Sequence, residues 1–448
     1  MNSIFIKNAT IVNEGQTFKG DLLIKDEFIS AIGSIDRESI PAGARIIEAS
    51  GLLLLPGIID DQVHFREPGL IHKGDIFSET RAAVAGGVTS FMDMPNTIPQ
   101  TVTIDILNEK YKTGQENSLI NYSFYIGGTN FNLDELMKAD PQSVCGIKLF
   151  LGSSTGNMLV DDRKALKEIF SKSSLLIACH CEDEPTIRKN SEIYREKYGE
   201  NIPVRFHPLI RSREACFLTS SFAVNLAREH DTRLHVLHLS TADELKLFSN
   251  ELPLEEKRIT GEVCIHHLWF EEADYERHGN FIKWNPAIKT KYDRDSLIKG
   301  VNNNLIDIVA TDHAPHTITE KSNNYFKAPS GGPLIQHFLP AMMEMYHKGL
   351  FSLEKIVEKM CHNPSILFRI KERGFIREGY RADICLVDPE NPWTVSRENI
   401  LYKCGWSPFE GFTFRSKVIT TIVNGNIVFN DGTINENYRG ERLMFNRK

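Results

Sequence analysis

The stretch GIIDDQVHFREPG, residues 57–69, reads as a short buried strand that runs out into chemistry. Ile58 and Ile59 begin it, Gln62 and His64 follow, and Arg66 precedes a Pro-Gly turn. Residues two apart on a strand share a face, so Gln62 and His64 look the same way. An imidazole at such a place suits a metal, and a second one at 62 would complete a pair. Position 62 holds an amide instead.

Seven more apolar runs follow the same plan: VTSFMDM (88–94), INYSFYI (120–126), CGIKLFL (145–151), LLIACH (175–180), LHVLHL (234–239), ITGEV (259–263) and IDIVATD (306–312). Helical stretches such as DDRKALKEIFSKS and REACFLTSSFAVNLAREH lie between them. Eight strands alternating with helices predict an α/β chain built on a (β/α)8, TIM-like barrel. The two ends differ from the middle. SIFIKNATIV, DLLIKDEFISAIG and ARIIEASGLLLLPG alternate in the β manner, as do ADICLVD and KVITTIVNGNIVF near the other terminus. They predict a small β-sandwich domain built from both termini, with divisions at 1–55, 56–370 and 371–448.

Composition is that of a globular chain: 448 residues, 41% hydrophobic and 25% charged, with a formal net charge of −7. The negative balance argues against a nucleic-acid or anionic-membrane partner. No apolar run approaches the roughly 20 residues that span a bilayer. The start, MNSIFIKNATIVN, has no signal-peptide core, so the reading is cytoplasmic. Eight cysteines without a CxxC pair read as buried free thiols.

Barrel active sites lie at the C-terminal ends of the strands. The first run extends to His64, the fourth carries Lys148, the fifth ends at His180, the sixth carries His238 and the eighth ends at Asp312. The second is followed by Asn96, and the seventh holds Glu262 with His266 and His267 beyond. Taken singly, each has a structural reading: a hydrogen-bonded core histidine, a snorkelling lysine, a helix-capping aspartate. Gathered at one end of successive strands, they would be costly to bury unless they met a metal or one another. Imidazole and carboxylate suit zinc, which activates water near neutral pH. Lys148 fits only as an N-carboxylated carbamate.

The ordered motifs D-x-x-x-H-x-R-x-P-G, MPNT, GIKLFLG, CHCED, HLST, GEVCIHH, KWNP and TDHAPHT resemble the amidohydrolase superfamily and, within it, the dihydroorotase family. The resemblance covers roughly residues 50 to 370. It implies one or two zinc ions, with His64 and Asp312 on one, His180 and His238 on the other, and a carboxylated Lys148 bridging. Arg66, Asn96 and His316 match residues that hold the substrate carboxylate, Asn285 matches a ring contact, and Asp312 matches the proton carrier. Gln62 stands where the family usually has a metal-binding histidine, and KAPSGGPLIQH (327–337) replaces its usual ring-contacting loop. An amide oxygen there would be a weak ligand, which predicts a looser first metal, a single second-site metal, or an inactive homologue.

The implied reaction is the reversible hydrolysis of dihydroorotate to N-carbamoyl-aspartate, in pyrimidine biosynthesis. A homodimer and a complex with aspartate transcarbamoylase are partners the family leaves open. The rivals are an allantoinase or dihydropyrimidinase-like hydrolase and a non-catalytic partner of aspartate transcarbamoylase.

Overall fold

A computed structural model describes residues 3–152 and 158–447. Three N-terminal strands, β1 (Ser3–Asn13), β2 (Gln16–Lys25) and β3 (Phe28–Gly33), form an antiparallel meander. Two more, β4 (Arg45–Glu48) and β5 (Leu53–Pro56), run parallel to β1.

The middle of the chain supplies β6 (Ile58–Val63), β7 (Val88–Asp93), β8 (Asn121–Phe124), β9 (Ile126–Gly127), β10 (Ile147–Phe150), β11 (Ile177–His180), β12 (Leu234–Val236), β13 (Ile259–Cys264) and β14 (Ile308–Ala310). Only Tyr125 separates β8 from β9. Its N–H bonds back to Asp93 O at 3.1 Å, while Ile126 N–H turns to Gly146 O at 3.2 Å. The two are halves of one bent stave, so the barrel has eight, all parallel. A parallel bridge from Val63 to His313, with His64 N–H on His313 O at 2.7 Å, joins the first stave to the last. Each of the eight apolar runs is one stave.

The C-terminal strands return to the first sheet. They are β15 (Ile384–Asp388), the short pair β16 (Trp393–Thr394) and β17 (Thr413–Phe414), then β18 (Lys417–Val423), β19 (Asn426–Asn430) and β20 (Thr433–Ile434). The order β20-β19-β18-β15-β5-β1-β2-β3, with β4 on β1, mixes both termini in one nine-stranded sheet. Period-two alternation divides its faces. Leu54, Ile384 and Leu386 join a core with Ile4, Ile6 and Ile24, while Leu53, Leu55, Cys385 and Val387 turn to the barrel's core. Gly57 makes the crossing from sheet to barrel, where a Cβ would stand 2.1 Å from Thr89 Oγ1. All eight cysteines are free and buried. No helix among the described residues is long and apolar enough to cross a membrane.

Candidate active site

Ion pairs and hydrogen bonds inside the barrel aim the loops at its mouth. Asp93, at the end of β7, accepts Phe65 N–H at 2.7 Å and pairs with the fully buried Lys110, whose ammonium also reaches Met94 O at 2.9 Å. These contacts draw the His64–Arg66 turn and the Asn96 turn together. Asp60 accepts Thr311 N–H at 3.2 Å and Thr311 Oγ1–H at 2.6 Å, which sets the chain one residue before Asp312. Arg66, His238 and Asp312 all have left-handed backbones, with φ of 71°, 41° and 47°. Bulky residues avoid that region unless their surroundings enforce it, and such positions cluster at functional sites.

One cavity of about 190 Å³ collects the polar residues. Gln62, His64, Lys148, His180, His238 and Asp312 line its floor side; Arg66, Asn96, Asn285 and His316 line it as well. The ligand and substrate residues that the resemblance implies are therefore in one place, while Glu262, His266 and His267 do not line it. A larger outer groove of about 910 Å³, beside Trp269 and Phe412, contains none of them.

Two donor pairs converge within the cavity. His180 Nδ1 and His238 Nε2 stand 2.9 Å apart, and His64 Nε2 lies 3.1 Å from Asp312 Oδ1. Burial lowers the basicity of both His180 and His238, far below the usual range for His238, so these rings are neutral and offer lone pairs. His238 Nδ1 is buried without a hydrogen-bond partner among the described residues. On His64 the other nitrogen, Nδ1, lies 2.7 Å from Asn96 Oδ1, which can only accept; the proton sits on Nδ1 and Nε2 faces Asp312. Imidazole nitrogens held this way by an outer acceptor are the usual preparation for a metal. The donor set fits a divalent ion of the zinc type.

Lys148 is buried on β10, with Nζ 4.7 Å from the centre of the Phe150 ring. Burial pushes its amine down to about 8, against partial support from Asp312. Glu182, which sequence reading passed over, sets Oε2 3.0 Å from His180 Nε2 and pairs with Arg211. Burial opposes its ionisation, but Arg211 and His180 outweigh that and hold it near 2. CHCED was its only sequence signal.

Gln62 does not offer its oxygen to the cavity. Its Nε2 lies 3.2 Å from Asp312 Oδ1, and its Oε1 lies 3.8 Å from Cys264 Sγ. A carboxylate only accepts, so the NH2 end belongs on Asp312. The weak amide ligand expected from the sequence is instead a donor that holds the neighbouring carboxylate.

The opposite wall is cationic. Arg66 Nε donates to Pro315 O at 3.1 Å, and Nη2 lies 3.1 Å from His316 Nε2. Lys73 Nζ lies 3.1 Å from His316 Nδ1 and can only donate, so the neutral ring carries its proton on Nε2 and gives it to Ser330 O at 3.1 Å. With its proton on Nε2, His316 cannot also accept from Arg66, so Nη2 has no acceptor there. Burial lowers the guanidinium to about 10, where it is still charged at neutral pH.

A buried lysine amine, its basicity lowered by burial and by neighbouring Lys283 and Arg66, shapes the loop above. Lys321 Nζ reaches Pro329 O, Gly331 O and Lys283 O at 2.9, 2.7 and 3.2 Å. Lys283 Nζ holds Tyr325 O and Ala328 O, both at 2.6 Å. Pro329, Ser330 and Gly331 thus present backbone to the cavity. Gly331, at φ 123°, allows that approach because a Cβ would stand 2.7 Å from Ala314 O. Nothing in the local sequence singled out Lys283 or Lys321.

An eight-stave barrel with this set of groups at its mouth and a composite terminal sheet is the amidohydrolase arrangement, and the chain belongs to the amidohydrolase family, whose model matches residues 53–428. Dihydroorotases are among its sequence relatives. That of Methanosarcina acetivorans is 30% identical, over 99% of this chain and 96% of the relative. That of Pyrococcus abyssi is 32% identical, over 96% of each. Among solved structures, the L-hydantoinase (dihydropyrimidinase) of Arthrobacter aurescens superposes with a TM-score of 0.93 at 26% identity, covering 99% of this chain and 100% of that one.

Proposed function

We propose that this chain is a dihydroorotase, opening and closing the cyclic amide of dihydroorotate reversibly to give N-carbamoyl-aspartate. The observation that carries the reading is Arg66, a buried guanidinium that lines the same cavity as the metal-type donors. Dihydroorotate bears a ring carboxylate that the fork of an arginine suits. Hydantoins and dihydrouracil bear none.

His64, Lys148, His180, His238 and Asp312 would hold one or two zinc ions, with Lys148 N-carboxylated so that it offers an anionic ligand in place of an amine. The lowered Lys148 amine supports this, since only the free base captures CO2. When bound, the metal polarises the amide carbonyl and activates water. Asp312 then receives the proton of the attacking water and returns it to the ring nitrogen as the C–N bond breaks. Arg66 holds the carboxylate, His316 joins it by turning its Nε2–H from Ser330 O, Asn285 and the 329–331 backbone face the ring, and the closing direction uses the same groups in reverse. We place the barrel at 56–370 and the composite sheet domain at 1–55 and 371–448.

Assay of the purified protein on dihydroorotate, 5-substituted hydantoins, dihydrouracil and allantoin tests the reading. Turnover of dihydroorotate at least 100-fold above the others is expected; equal or better turnover of an uncharged ring would replace it with the hydantoinase reading that the Arthrobacter likeness favours.

Two further outcomes concern neighbours of the site. Gln62→His exchanges a donor on Asp312 for an imidazole, so metal retained after dialysis should rise toward a second ion per chain. Elemental analysis checks this, and unchanged metal content together with an unchanged rate would discard our account of position 62. Lys321→Met strips Pro329 O and Gly331 O of their donor, each worth about 1–3 kcal/mol when left unsatisfied, while Lys283 O keeps the Gly331 N–H at 2.8 Å. Melting temperature should fall and KM rise about tenfold, with kcat changing less; a KM within twofold of the parent would remove Lys321 from loop positioning.

A further inference from the structure

Below the cavity floor, three side chains from separate staves meet in the closed interior: Asp61 of β6, His235 of β12 and Glu262 of β13, each fully buried. We propose that they form a second, enclosed cation site, which takes a divalent transition ion such as zinc or manganese. It does not depend on the substrate assigned above.

The spacing is that of a ligand set. His235 Nε2 stands 3.3 Å from Asp61 Oδ2 and 3.6 Å from Glu262 Oε2, and the three donor atoms lie within 4.8 Å of one another. Metal–ligand bonds of about 2.0–2.2 Å at tetrahedral angles put neighbouring ligands roughly 3.3–3.6 Å apart. Both Asp61 carboxylate oxygens, Glu262 Oε2 and His235 Nε2 lack a well-formed hydrogen bond among the described residues. Buried polar atoms are normally satisfied, so four orphans facing one another point to an occupant.

Outer contacts prepare each ligand. Thr260 Oγ1 lies 3.2 Å from Leu234 O and gives its one hydrogen there, so it accepts from His235 Nδ1 at 2.8 Å. The Nδ1 position is therefore protonated, which aims Nε2 at the two carboxylates; a bound ion takes the Nε2 lone pair in exchange for the proton that these carboxylates otherwise hold there. On Glu262, Oε1 accepts His238 N–H at 3.0 Å and lies 3.4 Å from Cys264 Sγ, which leaves Oε2 for the site. The Tyr125 hydroxyl goes to Asp61 main-chain O at 3.1 Å and does not serve the carboxylate.

Charge decides between a proton and a metal. Against burial, the two carboxylates hold the His235 ring up to about 9, and burial beside Asp61 pushes the Glu262 carboxyl up to about 7, so protons can offset the charge; the imidazolium's single Nε2–H still serves only one carboxylate. Among the described residues no Lys or Arg pairs with either. A divalent ion balances both and satisfies all three ligands, and uncompensated buried charge is what folded interiors avoid. Through Glu262, the same ion would steady the backbone of His238 above it.

Crystals of the full chain, soaked separately in zinc chloride and manganese chloride, test this by anomalous diffraction. A peak bonded to Asp61, His235 Nε2 and Glu262 is expected, distinct from any peak at His180 and His238. Asp61→Asn should lose that peak and lower the metal retained after dialysis by one ion per chain. If that variant does not fold, the parent maps decide alone. Saturated crystals with no peak at this position, or an Asp61→Asn protein with unchanged metal content, would overturn the proposal. A peak here with none in the cavity would keep this site and remove the metal assigned to the reaction.

Discussion

Asp312→Asn is expected to lower kcat for dihydroorotate by about 10³-fold while leaving most of the bound metal in place. Positioned acid–base groups contribute about 10²–10⁴ in rate, and Asp312 is asked both to take a proton and to return it. Asparagine is the sharper test than alanine for three reasons read from the structure. It keeps an oxygen 3.1 Å from His64 Nε2 and 3.2 Å from the Gln62 amide, where the Asp312 Oδ1 now lies. It tolerates the left-handed backbone of this position, at φ 47°, better than alanine does. It cannot carry the proton. Steady-state rates in both directions, alongside elemental analysis, separate loss of the proton carrier from loss of metal. A kcat within tenfold of the parent at equal metal content would strip Asp312 of its role.

Arg66→Met should raise KM for dihydroorotate by about 10²–10³-fold. Truncating one partner of a buried, hydrogen-bonded charge pair costs about 2–5 kcal/mol, and tenfold in affinity is about 1.4 kcal/mol. Methionine keeps the stem's bulk and removes the fork. Arg66→Lys should fall between the two, because an ammonium keeps the charge without the planar pair of donors. The comparison with an uncharged hydantoin gives the loss its meaning: any residual activity on that ring should change less than tenfold. If KM for dihydroorotate stays within threefold, the carboxylate is bound elsewhere and the choice of dihydroorotase over hydantoinase loses its support.

Much of this architecture is legible in one dimension because local patterning carries it. Strand ends such as LLIACH and IDIVATD place His180 and Asp312 without any knowledge of neighbours, since a parallel stave in a closed barrel must deliver its last residues to one mouth. Alternation in ADICLVD likewise foretells that Leu386 and Val387 face different cores. The outer supports were not legible in the same way. Glu182, Lys283 and Lys321 look like ordinary charged residues, and only burial with specific partners shows what they hold.

By itself the amino-acid order determined the eight staves, the sheet shared by both termini, and the residues gathered in the cavity. Tertiary structure alone decided which end of the Gln62 amide meets Asp312, which nitrogen of His64 and of His316 carries the proton, and that Asp61 meets His235 and Glu262. The reason is range. Periodicity and turn chemistry act between neighbours along the chain, whereas the direction of a hydrogen bond depends on which donor or acceptor the fold brings from some 200 residues away, as Asp312 is brought to Gln62 across 250.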